Sequence, residues 1–160
     1  MLSLTSQLTI LSYTAIATVL GALIGWERRR AEKPTGIRTC SIVAASSALI
    51  VSLGASVNEV YGTGDPTRAL HAVITGIGFL GAGAIYLPGK NRPAGGMTTA
   101  ATVFGVAAIG VAVGLGAPVA GAGVTLILLA MLRLFPALER GTRRRLANSG
   151  EDELVFDDEE

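Results

Sequence analysis

Residues 93–132, PAGGMTTAATVFGVAAIGVAVGLGAPVAGAGVTLILLAML, run from Pro93 to Leu132 without one charged side chain. A helix rises about 1.5 Å per residue and a bilayer's hydrocarbon core is about 30 Å thick, so about 20 apolar residues cross it once. About forty cross it twice, and the stretch must fold back on itself. Gly114-Leu115-Gly116-Ala117-Pro118 is the breaking point, because glycine loosens the backbone there and proline opens the next helix. The two spans are expected at about Met97 to Val113 and about Pro118 to Phe135.

Outward from this stretch the same ruler finds three more helices. One runs from about Leu8 to Trp26 and ends in Glu27-Arg28-Arg29-Arg30, with Lys33 and Arg38 in the loop beyond. The next runs from Thr39 to about Val57 and ends in an acidic, turn-rich loop containing Glu59 and Asp65. Asp65-Pro66-Thr67-Arg68 reads as the start of the third helix, with Asp capping free N–H groups and Pro at the first helical position. That helix is expected to reach about Leu87, before the basic turn Pro88-Gly89-Lys90-Asn91-Arg92-Pro93. Pro136, Arg140 and Arg143-Arg144-Arg145 close the membrane part, and the acidic stretch 150–160 is expected to be disordered.

Composition agrees with lipid as the solvent: half the residues are hydrophobic, 16% are charged and the mean hydropathy is +0.54. The net charge of +1 hides a segregation of basic clusters from a terminal acidic run. The basic residues sit at the ends of apolar segments, not on one face of a folded domain, which excludes a nucleic-acid partner. Cys40 is the single cysteine, so one chain holds no disulfide and no thiolate metal cluster. The first apolar run has its arginines after it, the reverse of a secretory signal, so the first helix is expected to stay in the mature protein. Lys and Arg mark the loops after the first and third helices and the segment after the fifth, which predicts the N-terminus outside and the C-terminus inside.

The predicted fold class is therefore an all-α integral membrane protein of five transmembrane helices, N-out and C-in, packed through glycine-rich faces. Residues 1–136 form the membrane domain, and 137–160 a basic, then acidic, disordered cytoplasmic tail. In lipid, small residues let helices approach closely. Of 21 glycines, Gly21 and Gly25, Gly110 and Gly114, and the set Gly76, Gly78, Gly81 and Gly83 are the candidate packing positions. Gly76 to Gly81 also spells GxGxxG, but it lies inside a membrane-length run with no strand before it, so a dinucleotide turn is rejected.

Charges beside a span are functional candidates because burying them is costly. Glu27 is the carboxylate nearest the inner end of the first helix, with Arg28, Arg29 or Arg38 to neutralise it or a ligand to bind. Asp65 and Arg68 lie one helical turn apart at the outer end of the third helix, where Asp65 caps and Arg68 snorkels or pairs. His71, the single histidine, is one turn further along the same face. Thr98 and Thr99 are expected to cap the fourth helix or line a polar cavity. No nucleophile with a positioned base, no histidine-rich metal site and no cofactor loop is present in the sequence, so neither an enzyme nor a cofactor is expected.

Gly21-Ala22-Leu23-Ile24-Gly25-Trp26-Glu27-Arg28, Gly36-Ile37-Arg38-Thr39, Asp65-Pro66-Thr67-Arg68, Gly76 to Gly83 and Thr99-Ala100-Ala101-Thr102, in this order and spacing, closely resemble the MgtC/SapB family of bacterial inner-membrane proteins. The resemblance covers about residues 8 to 135. It implies a five-span domain linked to magnesium limitation and, in pathogens, to survival in macrophages. For virulence-type members it implies restraint of the proton-translocating ATP synthase. The family's Glu, Arg and Asp positions fall on Glu27, Arg38, Asp65 and Arg68. Those members carry Asn where Thr98 stands and Gln where Ala72 stands, and longer members add a soluble C-terminal domain expected to be absent here. The resulting expectation is a SapB-like regulatory protein, in the bilayer as a homo-oligomer with a dimer favoured, and with a membrane partner such as ATP synthase. The competing expectation is a small oligomeric cation transporter or channel, for magnesium or protons.

Overall fold

The computed structural model describes residues 2–62, 65, 67–85 and 95–149, with side chains described as far as Phe135. The turn at 88–93 and the acidic stretch 150–160 lie outside the described residues, and the third helix ends at Ala84, short of the expected Leu87. Five α-helices make up the fold: α1 (Leu4–Arg30), α2 (Ile37–Tyr61), α3 (Thr67–Ala84), α4 (Met97–Gly114) and α5 (Pro118–Ser149). Four stretches are long and apolar enough to cross a membrane, namely α1, α2, α4 and the Pro118–Phe135 part of α5. The 18 residues of α3 fall short because Arg68 and His71 occupy its first turns.

Local chemistry sets the ends. Ser3 caps α1, its hydroxyl accepting from the Ser6 N–H at 3.1 Å. Within α1 the hydroxyls of Thr9, Thr14 and Thr18 donate to the carbonyls of Thr5, Ile10 and Thr14, which hides their polarity inside an apolar helix. α4 ends in a Schellman turn: Gly116 adopts φ +82°, its N–H bonds to the Val113 carbonyl, and the Ala117 N–H reaches back to Ala112. Pro118 then opens α5, as its missing N–H allows. α5 does not stop at Pro136 but continues as helix to Ser149, through a segment rich in Leu, Ala and Arg, all good helix formers.

The chain divides into two units, Met1–Leu128 and Leu129–Glu160. In the first, α4 is the most enclosed span, with half of it buried against 39% of α2 and 28% of α1. Its glycines determine the register. A methyl group at Gly114 would lie 2.6 Å from the Ala48 carbonyl oxygen, one at Gly110 would lie 2.8 Å from Ser47 Cβ, and the Ser52 hydroxyl bonds to the Gly114 carbonyl at 3.0 Å. Numbers rise together on both helices, so α4 runs parallel to α2. α1 runs antiparallel to α2, with Gly21 against Cys40 and Gly25 against Ile37. α5 descends along α4, with Gly121 against Val113 and Leu128 against Gly105. α3 joins the end of α2, where Gly54 faces Ala69, to the start of α4, where a methyl group at Gly81 would lie 3.9 Å from Ala100 Cβ.

The second unit is the remainder of α5. Met131, Leu134 and Phe135 are exposed there, as is Arg133.

Candidate functional site

At the end of the bundle where α1 stops, two adjacent charged residues are buried: Glu27 is 8% exposed and Arg28 3%. Neighbours on a helix point about 100° apart, so burying both requires cover on two sides. α2 and α4 both pack on α1, and the loop into α2 folds closely over it. A methyl group at Gly25 would stand 2.5 Å from Ile37 Cα and 2.8 Å from the Gly36 carbonyl oxygen, and Thr35 in that loop is buried. A Schellman turn holds the helix end, with the Lys33 N–H on the Arg28 carbonyl and the Glu32 N–H on the Arg29 carbonyl, both near 3 Å. Glu32 takes the left-handed position at φ +55°, which a glycine would occupy without strain.

The pair is poorly satisfied. Arg28 Nη1 lies 4.0 Å from Glu27 Oε2, too long for a hydrogen bond. Glu27 Oε2, Arg28 Nε and Arg28 Nη2 are buried with no hydrogen-bond partner among the described residues. Of the three arginines proposed to neutralise Glu27, Arg28 is the one beside it, while Arg29 and Arg38 are exposed. Unpaired polar atoms in such a place cost free energy, so the pair does not owe its burial to stability alone.

The opposite end is exposed and satisfied. Asp65 Oδ1 accepts from the Thr67 hydroxyl at 2.6 Å and from the Thr67 N–H at 2.9 Å, so Asp65 caps α3. These two bonds, the hydroxyl first, hold its carboxyl below the ordinary value. Arg68 is exposed, and its N–H bonds to the Asp65 carbonyl. His71, also exposed, donates from Nδ1 to the Thr67 carbonyl at 2.9 Å. No three of the described His, Cys, Asp and Glu side chains come together to hold a metal ion.

Thr98 and Thr99 do not cap α4. Gly96, in the left-handed region at φ +84°, takes the cap position, and both threonines already lie within the helix. Thr98 is exposed and its carbonyl accepts from Thr102 Oγ1, while Thr99 is buried. Gly96 is required by its conformation, and the Gly95-Gly96 pair had pointed to a turn without showing which residue would cap.

Of the predicted packing glycines, Gly21, Gly25, Gly110 and Gly114 lie against neighbouring backbone, whereas Gly76, Gly78 and Gly83 meet nothing within 4 Å. Gly54, Gly105 and Gly121 also stand at helix crossings, and sequence reasoning passed over them because they fall in no GxxxG pair. A cleft of about 330 Å³ at the Asp65 end was missed as well; Thr9, Tyr13, Ser52, Ser56 and Glu59 are among the residues that line it. Its signal was present as hydroxyl residues at helical spacing on α1 and α2.

Residues 14–141 match the MgtC family. The chain is 38% identical over 145 residues to an uncharacterized protein of Haemophilus influenzae, covering 87% of this chain and 60% of that protein. It is 39% identical to Protein SapB of Bacillus subtilis, over 67% of this chain and 48% of SapB. It is 37% identical to Protein MgtC of Brucella abortus, over 78% of this chain and 54% of that protein. The chain thus spans about half to three-fifths of these relatives' lengths. No solved structure matches it.

Proposed function

The chain belongs to the MgtC family and is a multi-pass protein of the bacterial cytoplasmic membrane, and from that premise we propose that it is a non-enzymatic regulator that packs against a transmembrane helix of a partner complex. The family resemblance implies the setting, which is adaptation to magnesium limitation and stress, and the candidate partner, the membrane sector of the proton-translocating ATP synthase. The observation that carries this reading is the outer face of α3. Gly76, Gly78 and Gly83 meet no neighbour within 4 Å there, and Phe79 is 80% exposed. In lipid, where apolar surface alone drives no association, a face of small residues beside an aromatic anchor suits close helix contact.

The same proposal makes α3 the fifth span. Its support is the parallel register of α2 and α4: if both cross the bilayer, the chain between them must return through the same thickness. The basic residues between α1 and α2, from Arg28 to Arg38, then lie at one surface, which the positive-inside rule makes the cytoplasmic one. Glu27 and Arg28 lie near that inner surface, Asp65 near the outer one. We propose a dimer as the resting state, with the lipid bilayer as its surroundings.

A second reading, a small cation transporter, has its own support in the buried, incompletely paired Glu27 and Arg28, since intramembrane charges commonly mark ion pathways. Two measurements separate the readings. A photo-crosslinking residue in place of Phe79 is expected to capture an ATP synthase membrane subunit in cells; capture of only lipid or of this chain itself sinks the regulatory reading. Liposomes holding only the purified protein are expected to pass neither magnesium nor protons above empty liposomes. Flux that disappears in Glu27→Gln establishes the transporter.

A further inference from the structure

The cleft at the Asp65 end lies between the first three turns of α1, the last turns of α2 and the α4–α5 turn. α1 contributes Thr5, Thr9 and Tyr13, and α2 contributes Ser52, Ser56 and Glu59, each set spaced three or four apart along one helix face. The two helices are antiparallel, so these hydroxyl stripes oppose each other. The floor is well defined: Ser52 Oγ holds the Gly114 carbonyl at 3.0 Å, and Tyr13 Oη lies 3.3 Å from where a methyl group at Gly116 would stand.

The charge of this lining is one-sided. Thr9 gives its hydroxyl proton to the Thr5 carbonyl and Ser52 gives its own to Gly114, so both oxygens keep only lone pairs for a guest. Glu59 is the one charged side chain among the described lining residues. A hydroxyl-lined cleft with one carboxylate and no cation among its described lining residues attracts a positive ion. A single carboxylate is too little to strip water from a divalent ion, and about 330 Å³ leaves room for a water shell of about 30 Å³ per molecule.

We propose that this cleft binds a hydrated divalent cation, held through its water shell by Glu59 and the hydroxyls of Thr9 and Ser56. The site is separate from Glu27 and Arg28. At about 1.5 Å per residue, the 14 positions from Tyr13 to Glu27 place them about 21 Å apart along α1. It stands whether the protein regulates a partner or carries ions, because it requires binding and not passage.

The test is a titration of the full chain in nanodiscs of neutral lipid with Mn²⁺, the free ion being counted by electron paramagnetic resonance. Wild type is expected to bind one Mn²⁺ per chain more than Glu59→Gln does, or to bind it about tenfold more tightly, as the loss of one charge near a divalent ion implies. Mg²⁺ is expected to displace that ion. Acidic residues in 151–160 are present in both proteins and cancel in the difference. Glu59 is exposed, so its replacement leaves the fold intact, and Ser56→Ala, which keeps the carboxylate, is expected to give a smaller loss. Equal binding by wild type and Glu59→Gln overturns the proposal. So does loss of the ion in Asp65→Asn with Glu59 in place, which moves the site to the α3 cap.

Discussion

α4 and α3 are both glycine-rich helices of 18 residues, yet their glycines meet opposite surroundings. Gly110 and Gly114 sit against the backbone of α2 so closely that no Cβ fits, whereas Gly76, Gly78 and Gly83 look into open space. α4 buries nine residues along one broad face, while Val73 and Ile77 are the buried residues of α3. Glycine composition is thus the same signal with two meanings. On α4 it lets this chain's own helices meet, and on α3 it leaves a face on which none of the described residues rests.

The comparison breaks most easily at α4. Gly114→Ala places a methyl group against the Ala48 backbone, which cannot swing aside as a side chain would, and is expected to cost about 3 kcal/mol in reversible unfolding in mixed micelles. Gly110→Ala is expected to behave alike. Wild-type stability in either variant would mean that α2 and α4 do not approach as described.

A smaller effect of opposite sign comes from Glu32, which among the described residues is the one non-glycine in the left-handed region. Glu32→Gly is expected to stabilise the protein by about 1 kcal/mol in the same assay, because glycine removes the Cβ strain in the turn that covers Glu27 and Arg28. A destabilised variant would show that the glutamate side chain has a partner worth more than the strain.

On α3 the expected change is smaller again. Gly78→Ala adds a methyl group to open space and improves helix propensity, so the isolated protein is expected to gain about 0.5 kcal/mol. If the α3 face packs on a partner, the same variant loses the Phe79 crosslink while remaining fully folded. That outcome separates an outward-facing glycine from an inward-facing one within a single helix family.

The least change is expected at the α3 cap. Asp65 has its carboxyl lowered by Thr67, so its contribution to stability is present above the ordinary value of 3.8 and is lost as pH falls through the folded-state value below that. The difference in thermal midpoint between wild type and Asp65→Ala is therefore expected to shrink as the pH is taken from about 6 to about 3. A gap that widens with acid would mean that Asp65 is stabilised in its protonated form.

Much of this fold was legible because bilayer thickness imposes a length and charges mark its edges. The α4–α5 turn, the Asp65 cap and the bounds of α4 came from such local rules, while α1 and α2 run to Arg30 and Tyr61, about a turn past the expected ends at Trp26 and Val57. The end of α5 did not follow them, since proline reads as a stop and a favourable run of helix formers carries the helix past it to Ser149. The expectation that Thr98 or Thr99 caps α4 failed for a similar reason: side-chain preference pointed to threonine, whereas the backbone of Gly96 had already made the turn.

What the sequence determined by itself was the solvent, the helices and the places where charge must leave the hydrocarbon, all of which depend on composition within one segment. Only the tertiary structure decided that Glu27 and Arg28 are enclosed together, that α4 is the central helix, and that hydroxyls from α1 and α2 face each other across a cleft. Those facts depend on which helix lies beside which and at what register. A single helix carries its own spacing but not its neighbour's, and in lipid the apolar faces alone do not choose between neighbours.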